Sequence, residues 1–212
     1  MPVPRSEIER AEQKTAELIE DVDKLLHPTG VAWRLRKTRR RTAQISVLAQ
    51  ERPAETGEVV SRIRFVEVDA AGDPIDQPRE FVVNDNQLYV NCDFLDLDPD
   101  YAWGEPGIYR GTCIGLFERI YGSNQAPIHG QLLDPVGEIP VVYRGDGPVS
   151  PLEKKIWEGV WNGEIPLGRL RWGHTSILRL RPGVTFELTM QAHKSNTVKE
   201  LTPETDEPAT RP

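Results

Sequence analysis

Alternation with a period of two narrows the folds open to this chain more than any other feature. Leu88, Val90, Cys92 and Phe94 alternate with Tyr89, Asn91 and Asp93. Leu178 and Leu180 alternate with Arg179 and Arg181, and beyond Pro182-Gly183 the pattern resumes in Val184, Phe186, Leu188 and Met190. From Trp33 to Ala49 the apolar residues keep odd parity on both sides of a basic run, which fits one long strand or two strands joined at Lys37–Arg41. Successive side chains of a strand point to opposite faces, so each segment predicts a strand with one face in a core. Further strands are expected at Arg62–Val68 and Phe81–Val83, with a turn at Asp69–Pro74. The segments around Pro182-Gly183 read as a β pair, and the alternation around Cys92 directs its thiol inward.

Three helices are expected beside these strands. Ser6-Glu7-Ile8-Glu9 is a capping box that opens a helix, and His27-Pro28-Thr29-Gly30 closes it. Within it Ile8, Ala11, Thr15, Leu18, Val22 and Leu25 recur at alternating intervals of three and four, the a/d seam of a short coiled coil. Arg110–Tyr121 carries Ile114, Phe117, Ile120 and Tyr121 at helical spacing, followed by Gly122 as a C-terminal cap. Ser150-Pro151-Leu152-Glu153 opens a third helix to about residue 162, with Leu152, Ile156 and Val160 on one stripe and Trp157 and Trp161 on another. The order lacks a regular βαβ alternation, which predicts an α+β fold: a mainly antiparallel sheet packed with two helices and preceded by an amphipathic, coiled-coil-like N-terminal helix. Residues 1–27 form that helix, 28–193 a single α+β domain, and 194–212, polar and proline-bearing, a disordered tail. Residues 96–109 and 122–149 read as loops, with a short extended piece near Ile139–Tyr143.

Leu, Ile, Val and Phe make up about a quarter of the 212 residues, enough for a real core. The longest uncharged stretch, Ile120–Leu133, is too short and too polar to span a bilayer, and no signal peptide opens the chain, so a cytoplasmic location is expected. The net charge of −7 hides an uneven distribution. Residues 51–150 hold 18 acidic and 7 basic residues, which disfavours nucleic acid over most of the surface.

Against that background Arg34, Arg36, Lys37, Arg39, Arg40 and Arg41 form one basic segment. Arg36, Arg39, Arg40 and Arg41 are the candidates for steering a protein partner or an anionic lipid surface, although a solvated patch pairing with the acidic middle explains them as well. Asp93, Asp96, Asp98 and Asp100 are the weak candidates for a hard cation such as calcium, although their spacing is not that of an EF-hand and a solvated acidic edge explains them as well. Trp103 and Trp172, each beside a glycine, are candidates for a ligand surface. His27, His129, His174 and His193 show no metal-ligand spacing, and pairs such as His129 with Asp134 need tertiary contact to become acid–base partners. Cys92 and Cys113 form no CxxC and read as reduced core thiols. No GxSxG, Walker A or GxGxxG motif is present, so neither a cofactor nor a catalytic set is expected.

The blocks Tyr109–Gly111, Phe117–Gly122 with Gln125-Ala126-Pro127, Val142-Tyr143-Arg144, Ser150–Glu153 with Trp157 and Trp161, and Arg181–Gly183 with Phe186 resemble a group of uncharacterised bacterial proteins. That group combines an N-terminal membrane span, a short coiled coil and a soluble α+β domain, with no activity to carry over. This chain departs from it in having no span, so the resemblance implies membrane association only through a partner or the basic segment.

The function expected from the residues is a non-catalytic assembly or binding module, self-associating or binding a protein partner through Ile8, Leu18, Val22 and Leu25. A small-ligand binder or enzyme with a cleft framed by loops 96–109 and 122–149, using Asp98 or Asp134, is the first alternative. An anionic-surface binder, of lipid or nucleic acid, acting through Arg34–Arg41 is the second.

Overall fold

The computed structural model describes residues 5–26, 34–35, 38, 40–97, 113–144, 148–149, 151–162, 167–191 and 195–201. Helix α1 spans Arg5–Leu26. The strands are β1 (Arg40–Glu51), β2 (Val60–Val68), β3 (Arg79–Val83), β4 (Gln87–Leu97), β5 (Cys113–Gly122) and β6 (Gln131–Leu132). Helix α2 (Pro151–Asn162) follows, then β7 (Leu167–Arg179), β8 (Thr185–Gln191) and β9 (Ser195–Leu201). Short 3-10 turns lie at Pro127–His129 and Val141–Tyr143.

The strands form two antiparallel sheets, ordered β3-β2-β1-β8-β9 and β6-β5-β4-β7. The expectation of mainly antiparallel sheet holds, and the balance tips further toward β. One core lies between the sheets. Ala43, Ile45, Ile63 and Phe65 enter it from one sheet, and Leu88, Val90, Cys92 and Phe117 from the other. Phe65 meets Phe117 edge-on across that gap, with ring centroids 5.3 Å apart.

Five expectations are corrected. The segment 110–121 contains no helix among its described residues; Cys113–Gly122 is strand β5, antiparallel to β4. Opposite β4, Asn91 pairs with Arg119 and Cys92 with Phe117, so Glu118 is an extra residue, a bulge. It stretches the interval between core-facing Phe117 and Ile120 from two residues to three, which imitates helical spacing. Second, the residues around Pro182-Gly183 do not pair with each other. β7 pairs with β4 and β8 with β1, and the turn, with Gly183 at φ 77°, carries the chain across the core from one sheet to the other. Alternation defines a buried face and leaves the neighbour unspecified. Third, Ser195–Leu201 belongs to no disordered tail: it is edge strand β9, paired with β8 from Thr185↔Leu201 to Gln191↔Ser195. Its side chains are half-buried or exposed, so a backbone ladder holds it without an apolar pattern. Fourth, the extended piece at Ile139–Tyr143 contains a 3-10 turn. Fifth, the strand expected from Trp33 starts at Arg40, with Arg34 and Leu35 in helical conformation.

Helix α2 occupies residues 151–162 as expected, with Trp157 and Val160 buried. Trp161 is half-buried and donates Nε1–H to the carbonyl of Glu138 at 2.9 Å.

Candidate functional site

Arg41 sits near the start of β1 on the odd parity shared by Ala43, Ile45 and Val47, and strand geometry therefore turns it inward. It is 3% exposed, which removes it from the basic surface expected at Arg36, Arg39, Arg40 and Arg41. All five guanidinium N–H groups have acceptors. Nε and Nη2 donate to Glu67 Oε1 and Oε2, both at 2.8 Å. Nη1 donates to Asp134 Oδ2 at 2.6 Å and to the Gly115 carbonyl at 2.8 Å, and Nη2 donates to Asp134 Oδ1 at 3.0 Å. Burial disfavours its charge, yet the carboxylates of Asp134 and Glu67 outweigh that and hold the group well above the ordinary arginine range. The guanidinium carbon also lies 4.7 Å from the centroid of the Phe117 ring and 5.6 Å from that of Tyr143.

This cluster ties the two sheets together and seals an edge. β6 pairs with β5 at Arg119 and Ile120, and the next backbone N–H groups, of Leu133 and Asp134, donate to the carbonyls of Glu118 at 3.0 Å and Phe117 at 2.8 Å. Beyond that point Asp134 Oδ2 accepts from the Phe117 N–H at 2.8 Å, while the Tyr143 hydroxyl accepts from the Gly115 N–H at 3.0 Å and donates to its carbonyl at 3.1 Å. The Asp134 side chain thus completes the backbone pairing at Phe117, and the Tyr143 hydroxyl takes the place of a neighbouring strand at Gly115. Arg34 extends the network, donating Nη2 to Glu153 at 2.6 Å and Nε to the Tyr143 carbonyl at 3.0 Å, which anchors α2 to the same turn.

Beside the cluster lies an open groove of about 520 Å³, bordered by Val68, Ala70 and Ile75, by Val141 and Val142, and by Arg40. Arg40 is exposed, with Nε on Thr42 Oγ1 at 3.0 Å and Nη2 3.7 Å from Glu187. Arg36, Arg39 and Lys37 lie outside the described residues, as do Trp103, Asp98 and Asp100. Trp172 sits on β7 opposite Phe94, and Asp96 on β4 opposite Cys113, but their side chains are also outside the description. Asp93 is 5% exposed, a buried residue and not part of a solvated edge. Among the described residues no group of three His, Cys, Asp or Glu side chains is placed to hold a metal ion. Asp134 directs its oxygens at Arg41 and the Phe117 N–H, whereas His129 lies exposed on its 3-10 turn.

Cys92 and Cys113 are buried thiols outside any disulfide. Burial pushes the Cys92 thiol up to about 12, opposed by a hydrogen bond with Asn196 and the charge of Arg41. Burial raises Tyr143 as well, with Arg41 opposing it. A thiol raised in the folded state contributes stability that is complete below its unfolded value near 8.5 and is lost as pH rises through about 12. Denaturation midpoints should therefore fall progressively above about pH 8.5, and a thiol reagent should label Cys92 and Cys113 only after denaturant unfolds the chain. Rapid labelling of the native protein would contradict the buried placement.

On α1 the seam positions Ile8, Leu18, Val22 and Leu25 are helical, with side chains outside the description. The described side chains of α1, from Ser6 and Glu7 through Ala11, Thr15 and Glu17 to Glu20, are all exposed. No described helix is long and apolar enough to cross a membrane. No protein-family model, no curated protein and no solved structure matches the chain.

Proposed function

We propose that this chain is a non-catalytic assembly module, a β-sandwich body that self-associates through α1. The observation that carries this reading is the exposure of seam residues Ala11 and Thr15 on a 22-residue helix with coiled-coil spacing. A single helix of this length is marginal in water and gains most of its stability from a packed apolar face. The short coiled coil implied by the resemblance to the bacterial group agrees with this. Light scattering should show an oligomer that a Leu18→Glu, Val22→Glu double variant converts to monomer. Each aliphatic contributes about 1.5–3 kcal/mol when buried, so the double change should weaken association about a hundredfold or more. An oligomer unmoved by the double variant would overturn the reading.

The groove beside Val141 and Val142 favours a second reading, a small-ligand binder. Val68, Ala70, Ile75, Val141 and Val142 suit the apolar part of a ligand, with Arg40 available for a carboxylate, while Thr38, Thr42, Glu67 and Asp69 add polar lining. Medium-chain carboxylic acids should then raise the melting temperature of the wild type and not of an Ile75→Glu variant. Equal responses would dismiss it.

A further inference from the structure

The self-association reading leaves open which way the two helices run, and the residues of α1 discriminate between the orientations. Resting on that reading, we infer that α1 pairs with a second copy of itself in antiparallel orientation.

The first observation is the composition of the layers. In a parallel, in-register pair each seam residue meets its own copy. Ala11 would meet Ala11 of the partner subunit and Thr15 would meet Thr15 of the partner subunit, leaving two consecutive thin layers. In an antiparallel pair a positions meet d positions. Ile8 then lies against Leu25 of the partner subunit, Ala11 against Val22 of the partner subunit, and Thr15 against Leu18 of the partner subunit. Each of the six layers contains at least one large aliphatic residue. Thr15 suits such a layer because its hydroxyl donates to the Ala11 carbonyl at 2.8 Å. A hydroxyl satisfied within its own helix carries a smaller desolvation cost at an interface.

The second observation is charge complementarity. With Ile8 at an a position, the g positions are Glu7, Lys14 and Asp21 and the e positions Glu12, Ile19 and Leu26. Parallel pairing sets g against e of the next heptad. Glu7 would then face Glu12 of the partner subunit, twice by symmetry, while Lys14 and Asp21 would face Ile19 and Leu26 and find no opposite charge. Antiparallel pairing sets g against g. In the register just given, Lys14 faces Asp21 of the partner subunit, again twice. The symmetry is that of an isologous dimer, closed on itself.

Cross-linking of the full chain tests the orientation. A Thr15→Cys chain and a Leu18→Cys chain carrying different tags are co-expressed, oxidised mildly and separated without reductant. The native cysteines are buried and contribute little background. The mixed disulfide should exceed either same-variant disulfide several-fold, and an Ala11→Cys with Val22→Cys pair should repeat the result. A dominant same-variant cross-link would overturn the antiparallel orientation while leaving self-association through α1 in place. A monomeric mass by light scattering, with no cross-link, would overturn both.

Discussion

Replacing Arg41 by methionine should destabilise the protein by about 3–5 kcal/mol, the cost of leaving buried carboxylates without their cation. In a domain of this size that corresponds to a fall in melting temperature of about 6–20 °C. Glu67 and Asp134 are 3% and 7% exposed, so water cannot take over the role of the guanidinium. The Gly115 carbonyl would also lose the donor at 2.8 Å, although Tyr143 still reaches it. Replacing the cluster as a whole should be far milder. A triple variant, Arg41→Met with Glu67→Met and Asp134→Asn, removes the uncompensated charge and should recover most of the loss. Thermal or denaturant unfolding of the two variants decides the matter. A single variant that costs under about 1 kcal/mol would show that the cluster is hydrated in solution and not a dry tie between the sheets.

Phe117→Ala should cost a similar amount, about 3–5 kcal/mol, for a different reason. The ring is fully buried, meets Phe65 edge-on at 5.3 Å and lies under the Arg41 guanidinium at 4.7 Å. Truncation opens a cavity between the two sheets and removes a desolvated cation–π contact at once. Because Phe117 and Arg41 touch, a double variant should lose less than the sum of the two single losses. Strict additivity in denaturant unfolding would argue against the contact. Glu118→Ala serves as the control. As the half-buried bulge residue beside Phe117 it should change stability by only about 0.5 kcal/mol.

These two positions also show where sequence reading reached and where it stopped. The parity of β1 ran unbroken through Arg41 to Val47, so the inward direction of Arg41 was legible. What hid it was composition: five basic neighbours within eight positions resemble a solvated run, and only Glu67 and Asp134, 26 and 93 residues away in sequence, make burial tolerable. Phe117 was legible as a core residue but not as part of a strand, because one bulge residue altered its period. Strand β4, by contrast, was read correctly, since its alternation from Leu88 to Phe94 lies in one register with its partners apart from the step at Asn91. β9 carried no apolar signal because an edge strand of this kind is held by its backbone, and backbone hydrogen bonds leave little trace in side-chain pattern. Helix α1 announced itself through capping and spacing alike.

The mass of the full chain in solution is therefore the decisive observable. Light scattering across a concentration series should give twice the 24.0 kDa of one chain at high concentration, falling toward one chain on dilution. A mass of 24.0 kDa at every concentration would contradict self-association through α1.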